Sequence, residues 1–190
     1  MTEALNKQKI LSILQDSFDS NPSVNFVVKQ DAKRSRRLRL LMKYSYFYCT
    51  HFGKIYLNEE QNCCALIIEP HRKRTTISTL MWDIKLALGC VGITNLKKVL
   101  EREKVIKQHH PSEAFIHLWY VGVFTDQQGK GLGSAMIKKV LIDAASQNKS
   151  VYLETSNPKN FPLYEKLGFE MLADLGSLGY GLRVYRNGKQ

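Results

Sequence analysis

Apolar positions along the chain recur first at a helical period. Leu11, Leu14 and Phe18 are three or four residues apart, which predicts an amphipathic helix over about residues 5–18. A second helical pattern predicts a helix over about residues 31–50. Both segments precede the first run of β-forming residues, so we expect two helices ahead of any sheet.

After residue 53 the pattern of residues becomes typical of β-strands. Residues 54–57 and 63–69 are two β-forming runs joined by a polar turn at 58–62, a pattern that predicts a hairpin. Helical patterns return over about residues 75–88 and 94–108. These elements follow one another without a recognisable linker.

The longest β-forming run, residues 115–123, is apolar on both faces, as expected of a central buried strand. The remaining predicted elements are a helix at about 133–146, a strand at Val151–Thr155, a short helix at about 160–167 with its cap at Gly168, and a final strand at 180–185. Helices and strands are interspersed, which predicts an α/β or α+β domain around one mixed sheet.

Composition narrows the class of protein. The chain has 190 residues, of which 44% are hydrophobic and 24% are charged. These values fit a single globular domain over residues 1–190 and exclude a disordered or collagen-like chain. No apolar stretch approaches the roughly 18 residues of a membrane span, and residues 1–30 lack a signal-peptide pattern. We therefore expect a cytoplasmic protein with no membrane partner.

The formal net charge of +11 favours anionic partners, whether nucleic acid, a membrane surface or a phosphorylated cofactor. Several basic side chains of the second predicted helix fall largely off its apolar side: Lys33, Arg36, Arg37, Arg39 and Lys43. We predict that they form a solvated face, with contact to a phosphate or an acidic substrate as the alternative. No nucleic-acid reading motif accompanies them, so a nucleic-acid partner is not expected.

Cysteine and histidine spacing gives no metal signature. The chain has four cysteines without a Cys-x-x-Cys pair, and we expect them to be buried, reduced thiols. His109, His110 and His117 lack a supporting ligand pattern, so no metal is expected.

A glycine-rich turn separates the 115–123 strand from the next predicted helix. Gly129, Gly131 and Gly133 alternate with Lys130 and Leu132. Glycines let the backbone approach a ligand closely, and free N–H groups at a helix start favour a phosphate. The spacing is neither that of the dinucleotide fingerprint nor that of a P-loop. A tight turn chosen only for geometry is the alternative.

Two stretches resemble signatures of one family. Residues 128–133 (Gln-Gly-Lys-Gly-Leu-Gly) resemble the Gln/Arg-x-x-Gly-x-Gly/Ala motif of the GNAT (GCN5-related N-acetyltransferase) family. Residues 153–157 (Leu-Glu-Thr-Ser-Asn) and 163–169 (Leu-Tyr-Glu-Lys-Leu-Gly-Phe) resemble its second signature, a strand followed by a short helix. The resemblance covers about residues 115–170 and is weaker over 1–110.

The resemblance implies a fold and a co-substrate. The central sheet would be mixed and mostly antiparallel, flanked by helices, with parallel strands 115–123 and Val151–Thr155 splayed into a coenzyme A cleft and a bulge at Gly122. Acetyl-CoA would be the co-substrate, without a metal. Residues 1–110 would form a variable acceptor-side half, and residues 111–190 the acetyl-CoA-binding half.

The same resemblance assigns cofactor contacts. Backbone groups of Val121 and Val123 would pair with the pantetheine amides. The coenzyme A pyrophosphate would be held by backbone N–H groups of Gln128, Gly129, Lys130, Gly131, Leu132, Gly133 and Ser134. Asn157 and Asn160 compete for the asparagine that the family has before its tyrosine, and either can instead be a helix cap.

The catalytic assignment is direct transfer of an acetyl group to a primary amine through a tetrahedral intermediate. By resemblance, Tyr164 would be the acid that protonates the departing thiolate. Glu154 would be the base, directly or through water, and Glu69 is its rival. A non-catalytic acyl-CoA-binding sensor or interaction module is the alternative function.

The acceptor is a small-molecule or protein amine that the sequence does not identify. It would enter near residues 30–50 and 70–90. Six aromatic residues could line its pocket, although core packing is predicted for most of them: Tyr44, Tyr46, Tyr48, Trp82, Trp119 and Tyr120. The sequence leaves open whether the protein forms a homodimer.

Overall fold

The computed structural model describes residues 2–188, and three helices precede the sheet. They are α1 (Thr2–Phe18), α2 (Pro22–Val27) and α3 (Arg34–Phe52). The two predicted helices correspond to α1 and α3, whereas α2 was not predicted. It begins because Asn21 accepts a hydrogen bond from the Val24 N–H at 3.1 Å and Pro22 occupies the first turn.

One six-stranded sheet forms the centre of the molecule. Its strands are β1 (Gly53–Leu57), β2 (Cys63–Ile68), β3 (Ile116–Val123), β4 (Val151–Thr155), β5 (Glu170–Asp174) and β6 (Arg183–Asn187). The spatial order is β1-β2-β3-β4-β6-β5, and every neighbouring pair is antiparallel except β3 with β4. The predicted mixed, mostly antiparallel sheet is confirmed.

The last two strands differ from the prediction. The final strand lies at Arg183–Asn187 rather than 180–185, because Leu182 N–H bonds to the Tyr180 carbonyl at 2.8 Å in a turn. Strand β5 was not predicted, because it is a mostly exposed edge strand without apolar alternation.

Helices connect the strands on both faces. Between β2 and β3 lie α4 (Ile77–Leu86), a π-helical turn (Ala87–Val91) and α5 (Ile93–Lys107). Helix α6 (Leu132–Ser146) joins β3 to β4, and α7 (Phe161–Lys166) follows β4. The chain leaves α7 through Gly168, whose φ of 83° is the predicted left-handed cap.

Two large cores flank the sheet, and β2, buried along its whole length, contributes to both; a third, smaller cluster contains Ile106, Leu175, Leu182 and Val184. Leu66 packs in the core that contains α1 and α3, whereas Ile67 packs in the core that contains α6 and α7. The four cysteines are free and buried, as predicted: Cys49, Cys63, Cys64 and Cys90.

The bulge in β3 lies three residues before the position that the resemblance implies. Tyr120 and Leu118 pair with consecutive residues of β2, so Trp119 is the extra residue. The expected bulge at Gly122 is wrong, because Gly122 pairs in regular register. Glycine fits there for another reason: a Cβ would lie 3.0 Å from Ile13 Cγ2 of α1.

The basic face of α3 is largely solvated, as predicted. Lys33, Arg36, Arg39 and Lys43 are exposed. Arg37 instead pairs with Asp31 at 2.7 Å, and this hydrogen-bonded contact lowers the pKa of Asp31 to about 2.

Within residues 2–188, no single helix has the length and apolar composition to cross a bilayer. Segments Ile77–Val91 and Ile93–Lys107 meet the criterion only when taken together, and they are bent by 114° at their junction.

Candidate active site

A cleft opens between the two parallel strands. β3 and β4 pair only at Ile116 with Val151 and at His117 with Tyr152. Beyond this point β3 continues to Val123 against β2, while β4 continues against β6. The facing edges of β3 and β4 are therefore unpaired beyond His117 and Tyr152, as expected of splayed strands, on the side of the glycine-rich turn that follows β3.

Val121 and Val123 lie on β3 along this cleft, and both are half-buried. The carbonyl oxygen of Val123 already accepts hydrogen bonds from Ser17 Oγ at 2.7 Å and Gln128 Nε2 at 3.2 Å. A carbonyl oxygen has two lone pairs, so a ligand amide would reach it only by displacing one of these donors. A contact at Val123 therefore uses its N–H group or requires Gln128 to move.

The backbone conformation of the turn requires glycine at two positions. Gly129 and Gly131 have φ angles of 79° and 81°. A Cβ at either would meet no atom within 4 Å, so crowding is not the reason. Gly133, by contrast, would make ordinary contacts with Val123 and Val121. The space around Gly129 and Gly131 is open to a ligand.

The N–H groups of the turn are unpaired. Within residues 2–188, none of the N–H groups from Gly129 to Ser134 donates a hydrogen bond. Gly131 is the N-cap of α6 and has no side chain that could satisfy them. With the positive end of the α6 dipole, they suit a phosphate group. Lys130 adds positive charge, its Nζ 2.8 Å from Gln127 Oε1.

The two candidate asparagines have different surroundings. Asn157 caps the short turn before α7, because its side chain accepts a hydrogen bond from the Lys159 N–H at 3.2 Å. Asn160 precedes α7 and makes no side-chain cap. The capping interpretation therefore applies to Asn157, while the side chain of Asn160 is available to a ligand.

Tyr164 lies on α7 and is buried in the core beneath β4. Its ring packs against Phe169 and Tyr185, with centroid distances of 5.6 Å and 6.0 Å. Within residues 2–188 its hydroxyl makes no hydrogen bond. Burial raises the pKa of Tyr164 to about 12. The phenol is therefore protonated at neutral pH, as an acid must be.

Glu154 lies on β4 between two histidines. Its Oε1 is 2.8 Å from His110 Nε2, and its Oε2 is 2.7 Å from His117 Nε2. Burial alone would raise the pKa of Glu154, but attraction to His117 and the hydrogen bonds from both rings outweigh it and lower the pKa below its usual range. The carboxylate is thus ionised and a weak base.

Sequence reasoning missed this cluster of His110, His117 and Glu154. Their potential ligand atoms lie within 4.8 Å of one another, so Glu154 supplies the third group that the histidines lacked in the sequence. His117 and Tyr152 are opposite in the parallel register, which places Glu154 on the same face two residues further along. The parallel register of β3 and β4 is therefore the information that would have revealed the cluster.

Glu69, the rival base, occupies an ion cluster near the paired end of β3 and β4. It contacts Lys149 directly, lies 2.9 Å from Arg72 Nη1 and lies 3.5 Å from His71 Nε2. Burial raises its pKa, but hydrogen bonds from Lys149 and Arg72 outweigh that effect and lower it. Glu69 therefore serves the ion cluster, and its place away from the open part of the cleft disfavours it as the base.

Aromatic residues surround the other side of His117. Its ring stacks on Trp119 at 6.3 Å, and Trp119 meets Tyr44 edge-on at 6.2 Å. The hydroxyls of Tyr44 and Tyr48 both donate to Asp83 Oδ1, at 2.9 Å and 2.6 Å. Aromatic faces beside a carboxylate suit a cation, and here Lys73 Nζ lies 5.5 Å from the Tyr48 ring centroid and 5.8 Å from that of Trp119.

The other aromatic candidates belong to packing. Tyr120 is buried and meets Phe18 edge-on at 5.0 Å. Trp82 stacks on Phe47 at 5.4 Å. Tyr48 is also buried in this core, so the core prediction fits these three, whereas Tyr44, Tyr46 and Trp119 are half-buried and pack against the core.

Comparison with solved structures finds the same fold. A protein from Corynebacterium glutamicum named histone acetyltransferase HPA2 and related acetyltransferase is 19% identical, with a TM-score of 0.68 over 98% of this chain and 92% of that chain. Arylalkylamine N-acetyltransferase 2 from Aedes aegypti is 12% identical, with a TM-score of 0.64 over 97% and 95%. The polyamine N-acetyltransferase of Drosophila melanogaster is 12% identical, with a TM-score of 0.62 over 96% and 95%.

A family model makes the assignment. The model of the acetyltransferase (GNAT) family matches residues 43–169, which include the hairpin, the glycine-rich turn, Glu154 and Tyr164. The match spans more than half of the chain, and the mixed sheet with its splayed parallel pair agrees with it. The chain therefore belongs to the GNAT family of acetyltransferases.

Proposed function

We propose that the protein transfers an acetyl group from acetyl-CoA to a primary amine of a small-molecule or protein acceptor. The observation that carries this proposal is the row of unpaired N–H groups from Gly129 to Ser134 at the mouth of the β3–β4 cleft. A diphosphate and an extended chain behind it are the ligand that such a site suits.

The cofactor would lie along β3. Its pyrophosphate binds the unpaired N–H groups of residues 129–134, assisted by Lys130, and its pantetheine pairs with the backbone of Val121 and Val123; the expected contact of the Gln128 N–H would cost its hydrogen bond to the Thr125 carbonyl at 3.4 Å. Gln128 donates to the Val123 carbonyl in the free protein, so its side chain moves if the pantetheine uses that oxygen. Asn160 is the better placed of the two asparagines, because Asn157 already caps a turn.

The base would be an imidazole oriented by Glu154, rather than the carboxylate itself. Both oxygens of Glu154 are engaged by Nε2 atoms, and its lowered pKa makes it a poor proton acceptor. His117 lies on β3, beside both the cleft and Trp119. We assign Nδ1 of His117 as the atom that takes the amine proton, directly or through water, because Nε2–H of the neutral ring donates to Glu154, which is a positioning residue.

The transfer itself needs no covalent enzyme intermediate. The neutral amine attacks the thioester carbon, and a tetrahedral oxyanion forms. The carbon–sulfur bond then breaks as the amide forms, and the Tyr164 hydroxyl protonates the departing thiolate. The proton taken by His117 returns to solvent, and a proton reloads Tyr164, so the cycle yields an acetylated amine and coenzyme A.

The cluster of His110, His117 and Glu154 is assigned to proton transfer without a metal. Each Nε2 atom already has a carboxylate oxygen as partner, so the three groups satisfy one another. A chelator added to the assay should leave turnover unchanged under this assignment.

The acceptor class follows from the aromatic residues around Asp83. Trp119, Tyr44 and Tyr48 offer ring faces, and Asp83, to which both tyrosine hydroxyls donate, offers a negative charge for an ammonium group that takes the place of Lys73 Nζ over the Tyr48 and Trp119 rings. The named activities of the mosquito and fruit-fly proteins, on arylalkylamines and polyamines, make such amines the first ones to test.

The alternative is an acyl-CoA-binding sensor without turnover. The unpaired Tyr164 hydroxyl and the histidine–carboxylate cluster favour an enzyme, since neither is needed to hold the cofactor. The deciding experiment measures melting temperature with acetyl-CoA and free-thiol release across an amine panel. A thermal shift with thiol release supports the enzyme, a shift without release supports the sensor, and no shift overturns both.

A further inference from the structure

A stripe of large apolar side chains on α4 faces away from the protein. Exposed residues recur at helical spacing along α4 and the π-helical turn, with Ile77 82% exposed and the others at least half exposed: Ile77, Leu80, Met81, Ile84 and Leu88. Thr79, Trp82 and Leu86 form a second stripe that packs inward. The helix is therefore apolar on two sides, although only one side contributes to the core.

The exposed stripe continues onto α5 and there gains positive charge. Ile93 is 75% exposed and Leu100 is 59% exposed. With Lys97 and Lys104 they line one open groove on α5. The outer apolar surface is defined as the seven exposed side chains Ile77, Leu80, Met81, Ile84, Leu88, Ile93 and Leu100.

The segment that carries this surface holds much of the positive charge of the chain. Residues 70–108 include nine basic and three acidic residues, a net charge of +6 out of the total of +11. Lys97 and Lys104 share a face with Leu100, and Lys85 lies four residues after Met81 on α4. Apolar and cationic side chains are thus presented together.

We propose that the outer apolar surface docks reversibly on an anionic lipid bilayer. Buried apolar area and attraction to anionic headgroups are the two terms that hold an amphipathic helix in a membrane interface. A span is not required: α4 has ten residues, about 15 Å of helix, against a bilayer core of about 30 Å. This surface is independent of the acetyl-transfer proposal.

Charge selects the lipid surface over a second copy of the chain. A symmetric dimer through this surface would bring the exposed Lys85, Lys97 and Lys104 of two copies together, and Glu101, which lines the same groove, offsets only part of that repulsion. An anionic bilayer offers the opposite charge and an apolar interior to the same side chains.

The first test is flotation of the full chain with vesicles. Vesicles of phosphatidylcholine alone are compared with vesicles that contain about a third phosphatidylglycerol. We expect binding to the anionic vesicles, little binding to the neutral ones, and release at high salt because attraction to the headgroups is screened. Absence of binding, or equal binding to both kinds of vesicle, overturns the proposal.

Matched variants locate the surface. Ile77→Asp removes an exposed apolar residue, and Ile142→Asp on α6, where Ile142 is 69% exposed, makes the same change away from the surface. We expect roughly tenfold weaker vesicle binding for Ile77→Asp than for Ile142→Asp. Equal binding by the two variants contradicts the assignment. Circular dichroism checks that both variants remain folded.

A second pair of variants tests the charge. Lys97→Gln with Lys104→Gln should weaken binding to anionic vesicles by about tenfold or more, whereas Lys138→Gln with Lys139→Gln on α6 should weaken it less. Analytical ultracentrifugation of the wild type measures whether the protein associates with itself. Self-association that Ile77→Asp abolishes would assign the surface to a second copy instead and overturn the proposal.

Discussion

His117 Nε2 lies 2.7 Å from Glu154 Oε2, and this bond joins β3 to β4 just beyond their last main-chain pair. A side-chain hydrogen bond thus connects the two strands where their main-chain pairing ends. Because the bond crosses the closed end of the cleft, it fixes the histidine ring where the two strands begin to separate.

Replacement of His117 by alanine should lower kcat by about 100-fold if its imidazole accepts the amine proton. The binding of acetyl-CoA, measured by thermal shift, should change little. His109→Ala is the matched control, because within residues 2–188 the neighbouring His109 side chain makes no contact with Glu154. Comparable rates for the two variants would remove His117 from the mechanism.

Glu154→Gln should lower kcat by about tenfold or more with little change in the KM for acetyl-CoA. The amide keeps the shape of the carboxylate but loses the negative charge that stabilises the protonated imidazole. A purely structural role predicts a lower melting temperature without this split between kcat and KM, and steady-state kinetics distinguish the two.

Gly131→Asp should abolish the rise in melting temperature that acetyl-CoA produces. The substitution strains a φ of 81° and puts a carboxylate at the proposed pyrophosphate site. Gly179→Asp is a close control, since Gly179 has a φ of 82° and equally open surroundings. Both variants should lose similar stability without ligand, and only Gly179→Asp should retain the shift.

Tyr164→Phe should slow turnover by about tenfold or more and leave the protein at least as stable as the wild type. The hydroxyl makes no hydrogen bond within residues 2–188 and keeps some contact with solvent, so its removal leaves no partner unsatisfied. Since the pKa of Tyr164 is about 12, its ionisation should not shape the rate profile below about pH 10. An unchanged kcat would argue that another group protonates the thiolate.

Glu69→Gln should destabilise the protein by about 2 kcal/mol at neutral pH without a specific loss of kcat. The folded-state pKa of Glu69 lies below the ordinary 4.5, so its stabilising contribution is present above pH 4.5 and is lost as the pH falls through the folded-state value. Urea titrations of both proteins should therefore converge in strongly acidic buffer. A gap that persists there would point to lost packing instead.

Local patterns predicted most of the fold and the glycine-rich turn, whereas the cofactor contacts come from the family resemblance and stay predictions. The turn at Gly129 and Gly131, strand β4 and the helix that carries Tyr164 depend on short stretches whose periodicity and turn residues determine their conformation. Strand β5 escaped prediction because it packs little apolar surface, and the bulge at Trp119 because it depends on the register between β2 and β3.

The cluster around the predicted base Glu154 could not be predicted for a similar reason. His110, His117 and Glu154 come from a turn and two strands, and only the parallel register brings them within hydrogen-bond distance. The exposure of the apolar stripe on α4 was equally hidden, because helical periodicity does not reveal which of two apolar sides faces inward.

The Ser17 hydroxyl at the end of α1 donates to the Val123 carbonyl, and a Cβ at position 122 would lie 3.0 Å from Ile13 Cγ2 of the same helix. A displacement of α1 would therefore disturb β3, the strand along which the proposed cofactor site lies. A molecule that displaces α1 would change the affinity of the protein for acetyl-CoA. Because linkage is reciprocal, acetyl-CoA would change the affinity for that molecule by the same factor.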